Sequence, residues 1–172
     1  RRGLSAAMAA GAIGSRALLL VDIDRFKQIN ETLGHQAGDD VLQQVGARLR
    51  DCLSQDAVLA RLGGDEFAVL MPAESGWAGA LATADRIHDA LAEPVVATGI
   101  ELQLEVGVGI AFSPQHGTNL SELQRTADRA LQRAKRDHVG SLVFDQNWDS
   151  GDHGGLLIMQ ELRRAIDDDE FT

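Results

Sequence analysis

Apolar and polar residues follow two different periods along this chain, one typical of strands and the other typical of helices. The run RALLLVDI, residues 16–23, is continuously apolar until its acids, which indicates a buried strand. Two apolar runs flank Gly63 and Gly64 in AVLARLGGDEFAVLM, which is a clear hairpin signal. The segment ELQLEVGVGIAF alternates from Leu102 to Ile110 as a half-buried strand does, and SLVF predicts one more short strand.

Between these strands the apolar positions recur every three to four residues, which predicts helices. DRFKQINETL is expected to be a helix with Asp24 near its N-terminus, and a second helix is expected over residues 39–53. A third helix is expected in WAGALATADRIHDALAEP, where it would end at Pro94. A fourth is expected in NLSELQRTADRALQRAKRD, which has one apolar face, and a short helix is expected in the Ala-rich residues 4–13. This order of elements predicts an α/β (α+β) sandwich, in which helices pack on a central, largely antiparallel sheet.

Composition limits the classes of partner. The 172 residues suit one domain and a piece of another, and the formal net charge of −10 argues against a non-specific nucleic-acid binder. Nucleotides remain possible, because a divalent cation can stand between carboxylates and phosphates. A single cysteine and the absence of a long apolar run indicate a cytoplasmic domain without membrane contact. The chain opens on RRGL without Met, so we expect a fragment whose upstream part could carry an anchor.

Four acids stand where predicted strands end: Asp22 and Asp24 at the end of the first strand, and Asp65 and Glu66 at the glycine turn. If the turn lies beside the strand end, these like charges converge and need a neutralising cation. Mg²⁺ favours a few carboxylates and leaves coordination positions for phosphate oxygens. The helix that opens in DRFK offers N–H groups to a phosphate, and Lys27 could meet charge on a transferring phosphoryl group. Singly, Asp24 is more simply a helix cap and Asp65 a turn residue.

The segment INETLGHQAGDDVL offers groups that suit a guanine base. Asn30, His35 and Asp39 supply an amide, an imidazole and a carboxylate, and a carboxylate can accept both N–H groups of guanine's edge. The residues alone favour a simpler interpretation, in which Gly34 ends one helix and Asp39 helps to start the next.

These residues together carry a family resemblance. DIDRFKQINETLGHQAGD, followed later by RLGGDEF, strongly resembles the GGDEF domain of diguanylate cyclases, and the resemblance runs from about Arg1 through ADRALQRAK to Phe144. It implies a five-stranded sheet flanked by helices, like the catalytic core of adenylyl cyclase. It also implies condensation of two GTP into cyclic di-GMP with release of two pyrophosphates, by a homodimer in which each domain holds one GTP.

The resemblance assigns roles at the acidic end. Asp22, the carbonyl of Ile23 and Asp65 would hold Mg²⁺ or Mn²⁺, and Glu66 would support the metal. Asp65 would also help to deprotonate the attacking ribose 3′-hydroxyl.

The resemblance also assigns contacts with GTP. Asn30 and Asp39 would read guanine, and His35 would contact the nucleotide. The remaining residues would hold the phosphates or leave room for the nucleotide: Lys27, the backbone of Arg25 and Phe26, Lys135, Gly63 and Gly64.

Two departures from the family pattern stand out. Val139 takes the place of a phosphate-binding arginine in AKRDHVGS, which would weaken GTP binding. Ser54 and Ala57 stand where many members carry the Arg-x-x-Asp site for inhibition by cyclic di-GMP, so product inhibition at that site is not expected.

The C-terminal part suggests a second domain. ELRRAIDDDEF, residues 161–171, resembles the start of an EAL phosphodiesterase domain, although an amphipathic helix with an acidic end is the simpler alternative. We therefore expect a GGDEF domain over residues 1–145, a linker over 146–155 and the start of an EAL domain over 156–172. The alternative function is a GTP-binding module that regulates this EAL domain without making product. A purely structural dimerisation domain is a weaker alternative, because the acids are intact.

Overall fold

The computed structural model describes residues 15–150. The helix predicted over residues 4–13 and the EAL-like segment lie outside this range. Seven strands and four α-helices precede a 3₁₀ helix at Gln146–Ser150 in the described range. In chain order they are β1 Arg16–Ile23, α1 Phe26–Leu33, α2 His35–Cys52, β2 Val58–Gly63, β3 Glu66–Pro72, α3 Gly76–Ala92, β4 Val95–Ala97, β5 Ile100–Leu102, β6 Val106–Ser113, α4 Leu120–Arg136 and β7 Ser141–Val143. Within residues 15–150, no helix is both long and apolar enough to cross a membrane.

Five strands form the main sheet in the order β2-β3-β1-β6-β7. All neighbours are antiparallel except β6 and β7, which are parallel. The predicted central, largely antiparallel five-stranded sheet is therefore confirmed. Because β1 is the middle strand and both of its faces are covered by helices, its sequence is continuously apolar.

Helices cover both faces of this sheet. On one face Leu19 and Val21 of β1 share a core with the buried stripes of α2 and α3. On the other face Leu18 and Leu20 pack with the apolar face of α4. The side chain of Asn119 caps α4 by accepting a hydrogen bond from the backbone N–H of Glu122 at 3.0 Å.

The prediction of one half-buried strand over residues 102–110 was wrong. This segment divides between β5, which pairs with β4 in a separate two-stranded sheet, and β6, which is buried from Val106 to Phe112. The alternation in its sequence comes from Gly107 and Gly109, where α4 packs closely on the strand. At Gly109 a Cβ atom would lie 2.2 Å from the carbonyl oxygen of Ala127.

The helix starts also differ from the predictions. The helix expected over residues 39–53 begins at His35, because Gly34, with φ of 87°, joins it directly to α1. Asp39 therefore lies inside α2 and does not start it. Asp24 is not a helix cap either: Arg25, with φ of 57°, precedes α1, and the side chain of Asp24 contacts Lys135.

The segment predicted to be a linker begins with ordered structure. Gln146–Ser150 forms the 3₁₀ helix, and the ring of Trp148 packs at 5.3 Å from the ring of Phe144. The domain boundaries at residues 145 and 155 stay predictions.

Candidate active site

Strand pairing brings the acids of β1 and of the glycine turn together. In the β1–β3 register Asp22 is paired with Glu66, and in the β1–β6 register it is paired with Gly107. Asp65 occupies the turn between β2 and β3, immediately before Glu66. The end of β1 and the tip of the hairpin therefore form one acidic edge of the sheet, as the sequence predicts.

The acids at this edge act on one another electrostatically. Burial raises the pKa of Asp22, and the charges of Asp65 and Asp24 raise it further, although Lys135 opposes this shift. Burial also raises the pKa of Glu66, and so do the charges of Asp22, Asp128 and Asp65. A cation near these carboxylates would relieve the repulsion and favour their charged forms.

Lys135 of α4 supplies one positive charge to this edge. Its Nζ donates hydrogen bonds to Oδ1 of Asp22 and, at 2.8 Å, to Oδ1 of Asp24. Burial alone would lower the pKa of Lys135, but the hydrogen bonds and charges of the two aspartates outweigh that effect and raise it. Lys135 and Asp22 are 113 residues apart in the sequence, so no local sequence pattern predicts their contact.

Gly107 makes room for the lysine. A Cβ atom at this position would lie 3.2 Å from both Cγ and Cε of Lys135, so the aliphatic part of the lysine passes directly over the strand at this glycine. Sequence reasoning missed Gly107. The available signal was a glycine inside a strand, which often marks a close approach.

The donor set fits a hard divalent cation. Among residues 15–150, no three His, Cys, Asp or Glu side chains form a group that could hold a metal ion by themselves. The predicted set is of another kind, two carboxylates from Asp22 and Asp65 with the carbonyl of Ile23. Mg²⁺ commonly binds to one or two carboxylates and takes its other ligands from water and substrate phosphates. The chemistry of these donors therefore suits a hard divalent cation such as Mg²⁺ or Mn²⁺.

The glycine turn leaves space beside Asp65. Neither Gly63 nor Gly64 has an atom within 4 Å of the position that a Cβ would occupy. Gly64 has φ of 53°, in the left-handed region, and its carbonyl accepts a hydrogen bond from Nε of Arg61 at 2.9 Å. The turn is thus held in shape by a hydrogen bond from the Arg61 side chain and is open on the outside.

The start of α1 carries its charged side chains on the solvent side. Arg25 is exposed in a left-handed conformation, and Phe26 is buried. Lys27 is 88% exposed, and its Nζ lies 3.3 Å from Oε1 of Glu31. The structure therefore places Lys27 on the solvent side of α1, beside Glu31. Its predicted contact with phosphate stays a prediction.

The residues predicted to contact guanine lie on α1 and α2. Asn30 extends from α1 towards Gly38 of α2, where a Cβ atom would come within 2.0 Å of Oδ1 of Asn30. Asp39, the next residue, is exposed, and so is His35. The structure brings Asn30 close to the α2 turn that carries Asp39. Sequence reasoning missed Gly38, whose signal was a glycine inside a helical pattern.

A cavity of about 510 Å³ adjoins the acidic edge. Asp24, Lys135, His138 and Val139 contribute to its lining. Val139, which replaces the family's arginine, is thus close to the lysine that is expected to hold phosphates.

Comparison with known proteins identifies the family of this chain. Residues 4–141 match the family model described as diguanylate cyclase, GGDEF domain. The chain belongs to the GGDEF family. The resemblance found in the sequence is confirmed for the family and for the fold.

Individual relatives agree with that assignment. The chain is 42% identical over 126 residues to diguanylate cyclase TpbB of Pseudomonas aeruginosa, covering 73% of this chain and 29% of TpbB. It is 36% identical to cyclic di-GMP phosphodiesterase PdeR of Escherichia coli, covering 90% of this chain and 23% of PdeR. The crystal structure of the TpbB GGDEF domain matches with a TM-score of 0.76 at 40% identity, covering 84% of this chain and 92% of that one. The chain thus spans less than a third of either curated relative.

Proposed function

We propose that this chain is a diguanylate cyclase domain, which condenses two GTP into cyclic di-GMP and releases two pyrophosphates in a reaction that depends on Mg²⁺ or Mn²⁺. The observation that carries the proposal is the acidic edge, where Asp22, Asp65 and Glu66 meet beside a lysine and an open glycine turn. Membership of the GGDEF family supports the same reaction.

The acidic edge supplies the metal site and a base. Asp22, Asp65 and the carbonyl of Ile23 would hold the metal, which when bound neutralises triphosphate charge and polarises the reacting phosphate. Asp65 accepts the proton of the ribose 3′-hydroxyl, and Glu66 supports the metal site with a further negative charge. The backbone N–H groups at Arg25 and Phe26 open a helix, where an anionic phosphate is favoured.

Two lysines bind the phosphates of GTP. Lys135 lies at the acidic edge already, and Lys27 reaches the phosphates from α1 after leaving Glu31. The surface ion pair of Lys27 is cheap to break, because exposed pairs contribute little to stability.

The reaction requires two copies of the domain. Each copy holds one GTP, and the 3′-oxygen of each nucleotide attacks the α-phosphorus of the other. Two phosphorus–oxygen bonds form, two bonds to pyrophosphate break, and the protons leave through Asp65 of each copy. A twofold homodimer presents the two sites to each other with the same surface.

A nucleotide-binding experiment tests the substrate. We expect a fluorescent GTP analogue to bind in the presence of Mg²⁺ and to be displaced by GTP about tenfold better than by ATP, because Asn30 and Asp39 match guanine's edge. Asn30→Ala and Asp39→Ala should remove that preference, and Asp40→Ala, one residue along α2, is the matched control. Equal displacement by ATP and GTP would contradict the proposal.

We also propose that residues 156–172 begin an EAL domain in the full protein. The support is the resemblance of ELRRAIDDDEF to that domain and the relationship with PdeR, whose name is cyclic di-GMP phosphodiesterase. Extending the gene and assaying hydrolysis of cyclic di-GMP tests this part separately from the cyclase.

A further inference from the structure

We propose that Lys135 is a built-in counter-cation which competes with the metal for Asp22, and that Asp24 retains the lysine at the site when the metal takes Asp22. This inference rests on the proposed function for the identity of the metal and the nucleotide. It assigns a positioning role to Asp24.

The geometry makes Lys135 a shared partner. Its Nζ contacts Asp22 and Asp24 together, 2.8 Å from the second, and the three side chains are only 17–33% exposed. The backbone N–H of Asp24 donates to the carbonyl of Glu105 at 2.8 Å, which fixes this residue at the start of β6. The lysine is therefore held between two carboxylates whose backbones are both secured.

Packing around the aliphatic part of Lys135 limits the positions that its ammonium group can reach. Its aliphatic part lies over Gly107 in β6, which is the strand neighbour of Asp22. Since α4 packs tightly on β6 at Gly109, the base of the side chain cannot retreat with the helix. Lys135 and Asp24 both line the adjoining cavity, which gives the ammonium group space beside Asp24.

Competition follows from charge and space. The carboxylate of Asp22 has room for two partners, but an ammonium group on Oδ1 and a divalent cation on the same carboxylate repel each other, so metal binding opposes the contact with Lys135. Asp24 then remains as the partner of the lysine and keeps it within reach of phosphates. We therefore expect the metal to bind weakly when no nucleotide is present. Phosphate groups of a nucleotide can accept the displaced ammonium group and so strengthen metal binding, which couples the binding of metal and nucleotide.

A Mn²⁺ titration without nucleotide tests the competition. Free Mn²⁺ is measured by electron paramagnetic resonance in the parent chain, in Lys135→Met and in Arg136→Met. The last variant removes a positive charge from the same helix, but Arg136 is exposed and forms its ion pair with Asp137, at 3.9 Å. We expect Lys135→Met to bind Mn²⁺ about tenfold more tightly than the parent, as couplings of this kind allow, and Arg136→Met to match the parent. Equal affinity in the two variants, or no Mn²⁺ binding in either, would overturn the inference.

A double-mutant cycle tests the role of Asp24. Affinity for a fluorescent GTP analogue is measured with Mg²⁺ for Asp24→Asn, alone and combined with Lys135→Met. If Asp24 acts through the lysine, Asp24→Asn weakens binding about tenfold in the parent and has no effect in the Lys135→Met background. The same loss in both backgrounds would show a merely structural role and overturn the assignment.

Two readouts keep the inference distinct from the proposed function. Thermal unfolding, followed by circular dichroism, identifies any variant that fails to fold. If the folded parent binds no guanine nucleotide, the proposed function fails, while the Mn²⁺ comparison still decides whether Lys135 competes with the metal.

Discussion

At the scale of single residues, small side chains decide where the functional ones can lie. Gly38 leaves the space that the Asn30 carboxamide fills, and Gly107 leaves the space that Lys135 crosses. The acids could be predicted from the sequence, because they follow a strand and a turn directly. The pairing of Lys135 with Asp24 could not, because it depends on side chains that the chain brings together only through its tertiary fold.

Gly38→Ala should separate nucleotide affinity from stability. A methyl group at this position would come within 2.0 Å of Oδ1 of Asn30 and displace the carboxamide, so we expect affinity for GTP to fall about tenfold, as for a lost polar contact. Unfolding free energy should change little, because alanine is favoured over glycine in a helix by up to about 1 kcal/mol, which offsets the crowding. Fluorescence titration and urea unfolding measure the two quantities.

Gly46→Ala is the matched control for that experiment. It lies in the same helix, and its added Cβ would make only an ordinary contact, 3.6 Å from the ring of Phe67. We expect a gain in stability without a change in GTP affinity. A loss of affinity in both variants would show that α2 tolerates no substitution, and it would remove the argument for Asn30.

At the scale of elements, periodicity predicted most helices and strands and failed where packing overrides it. The patterns agree with the structure for β1, for the hairpin at Gly63 and Gly64, and for α4. β6 does not, because its glycines mimic the polar positions of a half-exposed strand while α4 covers them. A pattern of apolar residues cannot distinguish a position facing water from one facing a helix backbone.

Gly109→Ala should therefore destabilise the fold strongly. The added Cβ would lie 2.2 Å from the carbonyl oxygen of Ala127 and 2.4 Å from the backbone nitrogen of Leu131, so α4 must move away from the sheet. We expect a loss of about 3 kcal/mol in unfolding free energy, at the upper end of overpacking costs. Urea unfolding measures it, and an unchanged midpoint would contradict the close packing of α4 on β6.

At the scale of the whole molecule, the two ends of the sheet have different chemistry. The acidic edge lies at Asp22, and Ala17, near the other end of β1, pairs with Phe112, which belongs to an aromatic cluster. Both tryptophans of the chain belong to this cluster. Its members are Trp77, Phe112, His116, Phe144 and Trp148. The order of the strands was not predictable from periodicity, which carries no information on strand partners. The family resemblance implied only the number of strands and the helices that flank them.

His116 should make stability depend on pH. Its Nδ1 accepts a hydrogen bond from the backbone N–H of Phe112 at 3.1 Å, and burial lowers its pKa although Asp145 opposes the shift. The unfolded chain therefore binds the proton more readily, and the contribution of neutral His116 is lost as pH falls through the ordinary histidine range. The raised pKa values of Asp22 and Glu66 act in the opposite direction, because they cost stability as pH rises.

The comparison of the parent with His116→Gln isolates this contribution. We expect the thermal midpoint of the parent, followed by tryptophan fluorescence, to fall between pH 7.5 and pH 5.5, and the fall to be smaller in the variant. Glutamine can still accept the hydrogen bond from Phe112 but does not titrate. An equal fall in both proteins would assign the pH dependence to other groups.

Formation of cyclic di-GMP tests the central claim most directly. The chain is fused at its N-terminus to a dimeric coiled coil, incubated with GTP and Mg²⁺, and its products are separated by nucleotide chromatography. We predict cyclic di-GMP and two equivalents of pyrophosphate from the parent and from Asp56→Ala, an exposed acid outside the site. In Asp65→Ala the rate should fall about a hundredfold or more, since that change removes a group which acts on the reacting atoms. A folded, dimeric parent that binds GTP but forms no cyclic di-GMP would contradict the cyclase function and favour a regulatory GTP-binding domain.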